Sequence, residues 1–242
     1  MNIELIEEEG ELFLYVPSNK RFAEIKELLS KIKNDTINVV KVDRLSLDQM
    51  KLIWALCRDY GDLRGYTREE MREALENEFC NSKEIEYFSI SPFKRDCCSM
   101  KVATDFIQFI IEHAIKHDYN LIVYEGKGDN RVAKRLQDIA PDIRRYVIQC
   151  LLHKRCAVCG KPITGPHHID RVGTQGYKND TGLDKRLSPL CPYHHAEIET
   201  GNYTNEEFKN KYPSFDYMLC DEKQIEILKE VYPHHFQAFK EA

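Results

Sequence analysis

At 242 residues, of which 42 % are hydrophobic, the chain can bury one large core or two smaller ones. Its net charge of −5 and pI near 6.0 argue against a protein that coats nucleic acid non-specifically. No run of about 18 apolar residues occurs, and the first residues lack a signal-peptide pattern. We therefore expect a soluble, cytoplasmic protein without a membrane partner.

The N-terminal region alternates strand and helix patterns. Residues 11–16 predict a strand, residues 20–33 an amphipathic helix and residues 37–42 a second strand. This start indicates an α+β fold.

The middle of the chain is predicted to be mostly helical. Helices are expected over residues 46–61, with Gly61 as the stop, over residues 67–80 and over residues 99–120. Short strands are expected at 85–90 and 121–124.

The turn-rich segment 125–130 marks a break, after which a basic helix over 140–155 leads into clustered cysteines. We predict two domains, an α+β domain over residues 1–137 and a second domain over residues 138–242. Two short C-terminal helices are expected at 204–212 and 221–232.

The segment between residues 144 and 196 is locally basic, although the whole chain is acidic. Its cationic residues are Arg144, Arg145, Lys154, Arg155, Lys161, Arg171, Lys178, Lys185 and Arg186. A surface that contacts phosphates needs such an excess of positive charge.

Four residues have the spacing of a structural zinc site. Cys156 and Cys159 form a Cys-x-x-Cys knuckle followed by Gly160, and the pair Cys191 and His194 has Cys-x-x-His spacing. Thiolates and imidazole in two such pairs suit a tetrahedral Zn²⁺ ion. The clustering and the absence of a secretory signal favour zinc over disulfides.

Three further histidines are not needed for that zinc site. Residues 193–200 predict a helix, on which His195 points about 100° away from His194 and shares a face with Glu199. His167 and His168 lie on a predicted hairpin strand, so they point to opposite sides. The natural division of their roles is one metal ligand and one general base.

The combined pattern of Cys-x-x-Cys, His-His and Leu-Cys-x-x-His-His-x-Glu resembles the HNH endonucleases, in the zinc-stapled variety found in bacteriophage genomes. The resemblance implies a ββα-metal module with His168 as general base and His167 and His195 as ligands of a catalytic divalent ion. Glu199 matches a further ligand, which is histidine in several relatives. A carboxylate there favours Mg²⁺ or Mn²⁺.

The asparagine that orients the base in this family has no direct counterpart here. Its usual position holds Arg186, which is expected either to contact a phosphate oxygen or to be a solvated surface residue. We predict that Asp184 accepts the hydrogen bond from His168, with Asn179 as an alternative.

The layout before the cysteines is similar to the NinB family of phage recombination proteins, which act on single-stranded DNA. Trp54, Phe88 and Phe93 have side chains that can stack on bases, but a place in the core is favoured for each of them.

The sequence therefore predicts a metal-dependent HNH endonuclease of phage DNA recombination or repair, located in the cytoplasm of a bacterial host. Products with 5′-phosphate and 3′-hydroxyl ends are implied by the family. The rival hypotheses are a non-catalytic recombination mediator that binds single-stranded DNA and an interaction module for a single-strand-binding or replication protein. A four-way substrate would call for a homodimer.

Overall fold

A computed structural model describes residues 4–8, 11–15, 43–94, 96–126, 128–170, 176–201 and 203–240. The predicted helix 20–33 and strand 37–42 lie outside these residues. The predicted N-terminal strand is present as β2, Glu11–Tyr15, and it pairs antiparallel with β1, Glu4–Glu8, which the sequence analysis did not predict.

Three long helices follow, and each begins at a polar cap. They are α1 (Leu47–Arg64), α2 (Arg68–Lys83) and α3 (Met100–Lys116). Ser46 and Thr67 form complete capping boxes, and the Ser99 hydroxyl accepts a hydrogen bond from the backbone of Val102. The predicted start of each helix is therefore confirmed to within one residue.

The predicted end of α1 at Gly61 is wrong, since the helix continues to Gly65, whose φ of 78° suits glycine. Gly61 instead allows a close approach of the next loop. A Cβ atom there would lie 2.7 Å from the carbonyl oxygen of Tyr66. Gly61 therefore lies inside the helix, where it permits close backbone packing and does not end the helix.

Aromatic side chains hold the three helices together. Phe79 of α2 packs against Phe106 and Phe109 of α3, and Phe88 meets Phe79 edge-on. Phe88 therefore lies against the core, as favoured from the sequence. The predicted strand at 85–90 is wrong, because the described chain there has only a single bridge, between Ser89 and Cys97.

A short hairpin and two helices connect this part to the cysteines. The elements are β3 (Ile122–Glu125), β4 (Val132–Arg135), α4 (Leu136–Ile139) and α5 (Ile143–Leu152). Helix α5 packs against α3, where Arg145 pairs with Glu112 and the backbone of Asp142 donates to the Gln108 side chain. These contacts cross the predicted boundary at residues 137 and 138, which stays a prediction.

The C-terminal part is built on a small antiparallel sheet in the order β5, β6, β7. Its elements are β5 (His167–His168), β6 (Arg186–Ser188), α6 (Pro192–Thr200), α7 (Asn205–Lys211), β7 (Met218–Leu219) and α8 (Glu222–Val231). His167 pairs with Ser188 and His168 with Leu187. The strand pair β5 and β6 is thus followed directly by α6.

The described residues therefore form a mixed α+β protein with eight α-helices and small sheets, and their buried apolar side chains make one continuous core from Leu45 to Phe239. None of the described helices is long and apolar enough to span a membrane.

Candidate metal centres and catalytic histidine

The predicted zinc ligands meet where a tight turn faces the start of a helix. Gly160, with a φ of 71°, follows Cys159 and donates its N–H to the carbonyl of Cys156 at 2.8 Å. Cys191 caps α6, and Pro192 takes its first position, where the missing N–H costs nothing. His194 on the first turn of α6 then points back to the knuckle.

The spacing of these four ligands fits a tetrahedral zinc ion. The Sγ atoms of Cys159 and Cys191 are 3.8 Å apart, and Nδ1 of His194 lies 3.5 Å from Cys156 Sγ and 3.3 Å from Cys191 Sγ. Ideal tetrahedral zinc with Zn–S near 2.3 Å and Zn–N near 2.0 Å gives edges of about 3.8 Å and about 3.5 Å. Cys156, Cys159, Cys191 and His194 thus form a metal-type site consistent with zinc.

The local electrostatics at this site differ among the cysteines. Burial raises the pKa of the Cys156 thiol to about 12. Burial also acts to raise the pKa of Cys191, but the backbone N–H groups of His194 and Tyr193 and the neighbouring thiols outweigh it, so this pKa is lowered. Cys191, at the start of α6, is therefore the cysteine of this site whose thiol deprotonates most readily to a thiolate.

A second cluster lies on the other face of α6. His167 of β5 and His195 and Glu199 of α6 offer ligand atoms that all lie within 4.8 Å of one another. The rings of His167 and His195 meet edge to face at 4.5 Å, and Nδ1 of His195 lies 3.4 Å from a carboxylate oxygen of Glu199. The structure thus brings together the three residues that the sequence nominated for a divalent ion.

His167 shows a feature that suits a metal ligand. It is buried, and its Nδ1 is the one buried side-chain nitrogen or oxygen of the described residues that has no hydrogen-bond partner. Burial, with His195 and His168 nearby, lowers its pKa to about 4, so the ring is neutral at ordinary pH. A neutral imidazole with an available lone pair is the form that binds a cation.

His168, the next residue along β5, is held by a different partner. Its Nε2 lies 2.8 Å from Oδ2 of Asp180, and the side chains are 6 % and 0 % exposed. Burial acts to raise the pKa of Asp180, but the hydrogen bonds from His168 and from the backbone of Gly182 keep it below its ordinary value. A carboxylate only accepts, so Nε2 of His168 carries a hydrogen, and in the neutral form of the ring Nδ1 carries the lone pair.

The sequence analysis named Asp184 for this hydrogen bond, and the structure corrects that choice. Asp184 is exposed in a turn in which the backbone of Lys185 donates to the carbonyl of Gly182. Asp180 lies at the end of a 3₁₀ turn over Gly176–Asn179 and is buried beside His168. The sequence signal for the partner of His168 was a carboxylate near Gly182. Both Asp180 and Asp184 meet that description, and only the folded loop shows that Asp180 turns inward.

Arg186 also has a partner that the sequence did not indicate. Its guanidinium forms a two-pronged ion pair with Asp170, with a shortest distance of 2.6 Å, and it lies over the Tyr217 ring. Hydrogen bonds from Arg186 lower the pKa of Asp170 to about 2. The contact of Arg186 with a phosphate stays a prediction. It would use only those guanidinium N–H groups of Arg186 that are not bonded to Asp170.

The predicted basic surface is partly neutralised in the same way. Arg145 pairs with Glu112, Arg155 with Asp118 and Arg186 with Asp170. Of the seven of these cations whose side chains the structure describes, three therefore have carboxylate partners, two of which lie on α3 or just after it. The local positive field is weaker than composition alone suggests.

Fold and clusters together define an α+β protein with two metal-type sites on different faces of one helix. Residues 26–230 match the family described as "Putative HNHc nuclease", and the chain belongs to this family. No curated protein matches the chain significantly, and no solved structure does so either.

Proposed function

We propose that the protein is a metal-dependent HNH endonuclease that hydrolyses DNA phosphodiester bonds. The observation that carries the proposal is the different environment of two adjacent histidines. His167 has a buried nitrogen without a partner beside His195 and Glu199, whereas His168 is oriented by Asp180. A zinc ribbon alone needs neither arrangement. Family membership supports nuclease chemistry independently.

In this proposal, different residues of the chain carry out different parts of the reaction. Nδ1 of His168 takes a proton from water, and the resulting hydroxide attacks phosphorus in line with the departing 3′ oxygen. Asp180 keeps the imidazole in the Nε2–H tautomer and stabilises its protonated form. A Mg²⁺ or Mn²⁺ ion held by His167, His195 and Glu199 would supply positive charge for the phosphate oxygens. The products are 5′-phosphate and 3′-hydroxyl ends.

Cys156, Cys159, Cys191 and His194 would hold a structural Zn²⁺ ion in this proposal. These ligands would fix the start of α6, and α6 also bears His195 and Glu199. The zinc site would thereby set the geometry of the second centre without taking part in the chemistry.

The biological setting proposed is phage-type recombination or repair in a bacterial cytoplasm. Residues 1–137 would bind DNA or a DNA-bound partner, such as a single-strand-binding protein, and residues 138–242 would form the ββα-metal module. Tethering through the first domain would offset the weak attraction of an acidic chain to DNA. A four-way substrate would require a homodimer.

A panel of DNAs tests this proposal directly. Purified protein is incubated with plasmid, linear duplex, single-stranded, flapped and four-way DNA, each with Mg²⁺, with Mn²⁺ and with EDTA. We expect cleavage only with added divalent ion, and end-labelling should show 5′-phosphates. Binding to these DNAs without cleavage of any of them, with either metal, would favour the non-catalytic mediator and remove the nuclease proposal.

Asp180→Asn is expected to lower kcat by about 10²-fold, since the amide no longer fixes the tautomer of His168 or stabilises its charge. Zinc content and KM should stay unchanged. Asp184→Asn is the matched control, and we expect its kcat to stay within about twofold of the wild type because Asp184 is exposed in a turn. The opposite ranking of these two variants would restore the original choice of Asp184.

Glu199→Gln is expected to weaken Mn²⁺ binding by about 10–100-fold or more, as measured by calorimetry on zinc-loaded protein, because an anionic ligand is lost. Glu199→His should retain binding but shift the preference from Mg²⁺ toward Mn²⁺ and softer ions. Glu206→Gln, an exposed change on α7, is the control. Equal Mn²⁺ affinity of Glu199→Gln and wild type would exclude Glu199 from the ion site.

A further inference from the structure

The residues after α8 form a defined element, which we call the C-terminal cap, residues 232–239. The family match ends at residue 230, so the cap lies outside the matched region. Tyr232, Phe236 and Phe239 are nevertheless buried. Burial of three large aromatic side chains in eight residues indicates a structural role in this chain.

Hydrogen bonds attach the cap to the elements around the candidate site. The hydroxyl of Tyr232 donates to the carbonyl of Leu151 at 2.6 Å, which fixes the start of the cap to α5. The backbone N–H of Ala238 donates to the carbonyl of Asp180 at 3.1 Å. The cap is therefore bonded directly to the residue that orients His168.

Two rings of the cap also contact the imidazole of His168. The ring of His235 lies nearly parallel to that of His168, with an interplanar angle of 7° and centroids 6.2 Å apart. The ring of Phe236 lies 6.1 Å from it at 46°. Both distances are within the range of offset aromatic contacts, about 4.5–7 Å. The His168 ring is thus hydrogen-bonded to Asp180 at Nε2 and has two rings of the cap beside it.

Glycines occur where the cap comes closest to the loops around His168. A Cβ atom on Gly165 would lie 2.8 Å from Cε1 and Nε2 of His235. A Cβ atom on Gly182, which has a φ of 76°, would lie 2.7 Å from Cδ1 of Phe236. A larger residue at either position would push a cap ring away from its place.

We propose that His235 and Phe236 of the C-terminal cap are positioning residues for His168, holding its imidazole plane so that Nε2 stays on Asp180. The proposal rests on the proposed role of His168 as general base. It extends the nuclease site to a segment beyond the matched family region. His235 acts here through the plane of its ring, and its own proton transfer is not required.

The test compares His235→Ala, His235→Phe and the neighbouring control His234→Ala, whose residue is exposed. Plasmid cleavage with Mn²⁺ gives kcat and KM, and zinc content and Tm show that each variant is folded. Long-range ¹H–¹⁵N spectra of the histidines report the tautomer of His168. We expect His235→Ala to lower kcat by about 10–10²-fold at unchanged KM, as for a displaced catalytic group.

His235→Phe should recover most of the lost rate, because a planar ring is restored, and His234→Ala should match the wild type. Among His235→Ala, His235→Phe and His234→Ala, only His235→Ala should change His168 from the Nε2–H tautomer to a mixture. Gly165→Ala, which displaces His235 without altering it, should reproduce the loss if His235→Ala does not fold.

Wild-type kcat together with an unchanged His168 tautomer in His235→Ala would overturn the proposal, and so would a His235→Phe variant as slow as His235→Ala. A wild-type protein that cuts no DNA would defeat the proposed nuclease function instead. The tautomer spectra would still decide whether the cap positions His168, so the two failures are distinguishable.

Discussion

His168→Ala is expected to lower the rate of DNA cleavage by about 10²–10⁴-fold, which is the usual contribution of a general base. The loss should appear in kcat, with little change in KM, because proton transfer from water is needed only in the transition state. Zinc content should equal that of the wild type, since His168 lies outside the Cys156, Cys159, Cys191 and His194 cluster. The measurement is the initial rate of cleavage of labelled DNA over a range of DNA concentrations, with saturating Mn²⁺.

His117→Ala is the matched control, because His117 is an exposed histidine at the end of α3. Its cleavage rate should equal that of the wild type. Added imidazole should restore part of the activity of His168→Ala but not of His167→Ala, since a soluble base can replace a proton acceptor but not a fixed ligand. A His168→Ala protein that cuts DNA at the wild-type rate would falsify the assignment of His168 as the base.

The local features of this fold follow from sequence patterns that act over a few residues. Ser46 and Thr67 begin α1 and α2 through capping boxes at the predicted helix starts, and Pro192 after Cys191 begins α6 within one residue of its predicted start. The separation of His194 and His195 onto two faces of α6 follows from helical geometry alone. Such features are set by neighbours along the chain, so the sequence contains the needed information.

Other features depend on contacts between distant segments. The sequence did not indicate Asp180 as the partner of His168, because the choice between Asp180 and Asp184 depends on the fold of the loop that contains them. It gave no sign that His235 reaches His168, which is 67 positions earlier and in another element. Arg186, predicted to face phosphate, is paired with Asp170 across a sheet edge. Charge and polarity predict that partners exist but not which residues they are.

Removal of Cys159, a proposed zinc ligand, is expected to have a second large effect, on folding rather than on chemistry. Zinc binding contributes on the order of 10 kcal/mol to small zinc modules, comparable with the whole stability of a domain. The wild type is expected to bind about one zinc ion per chain, and Cys159→Ser should lose most of this zinc. A loss of about 4 kcal/mol would lower Tm by roughly 8–16 °C in a protein of this size.

Cys97→Ser is the control, because Cys97 and Cys159 are both half-buried and Cys97 lies outside both metal clusters. It should keep full zinc content and nearly the wild-type Tm. Cys159→Ser should also lose Mn²⁺ binding at the second centre, although it alters none of that centre's ligands. The reason is that Cys191 and His194 fix the first turn of α6, and this helix places His195 and Glu199 opposite His167.

The coupling between the two centres separates two accounts of the zinc. If zinc only stabilises the fold globally, a destabilising change elsewhere, such as Leu151→Ala in the buried face of α5, should weaken Mn²⁺ binding equally for the same fall in Tm. If zinc sets the position of α6, Cys159→Ser should weaken Mn²⁺ binding far more than Leu151→Ala at matched stability. We expect the second result, because both ligand sets share a helix of only nine residues and displacement of its first turn moves every ligand on it.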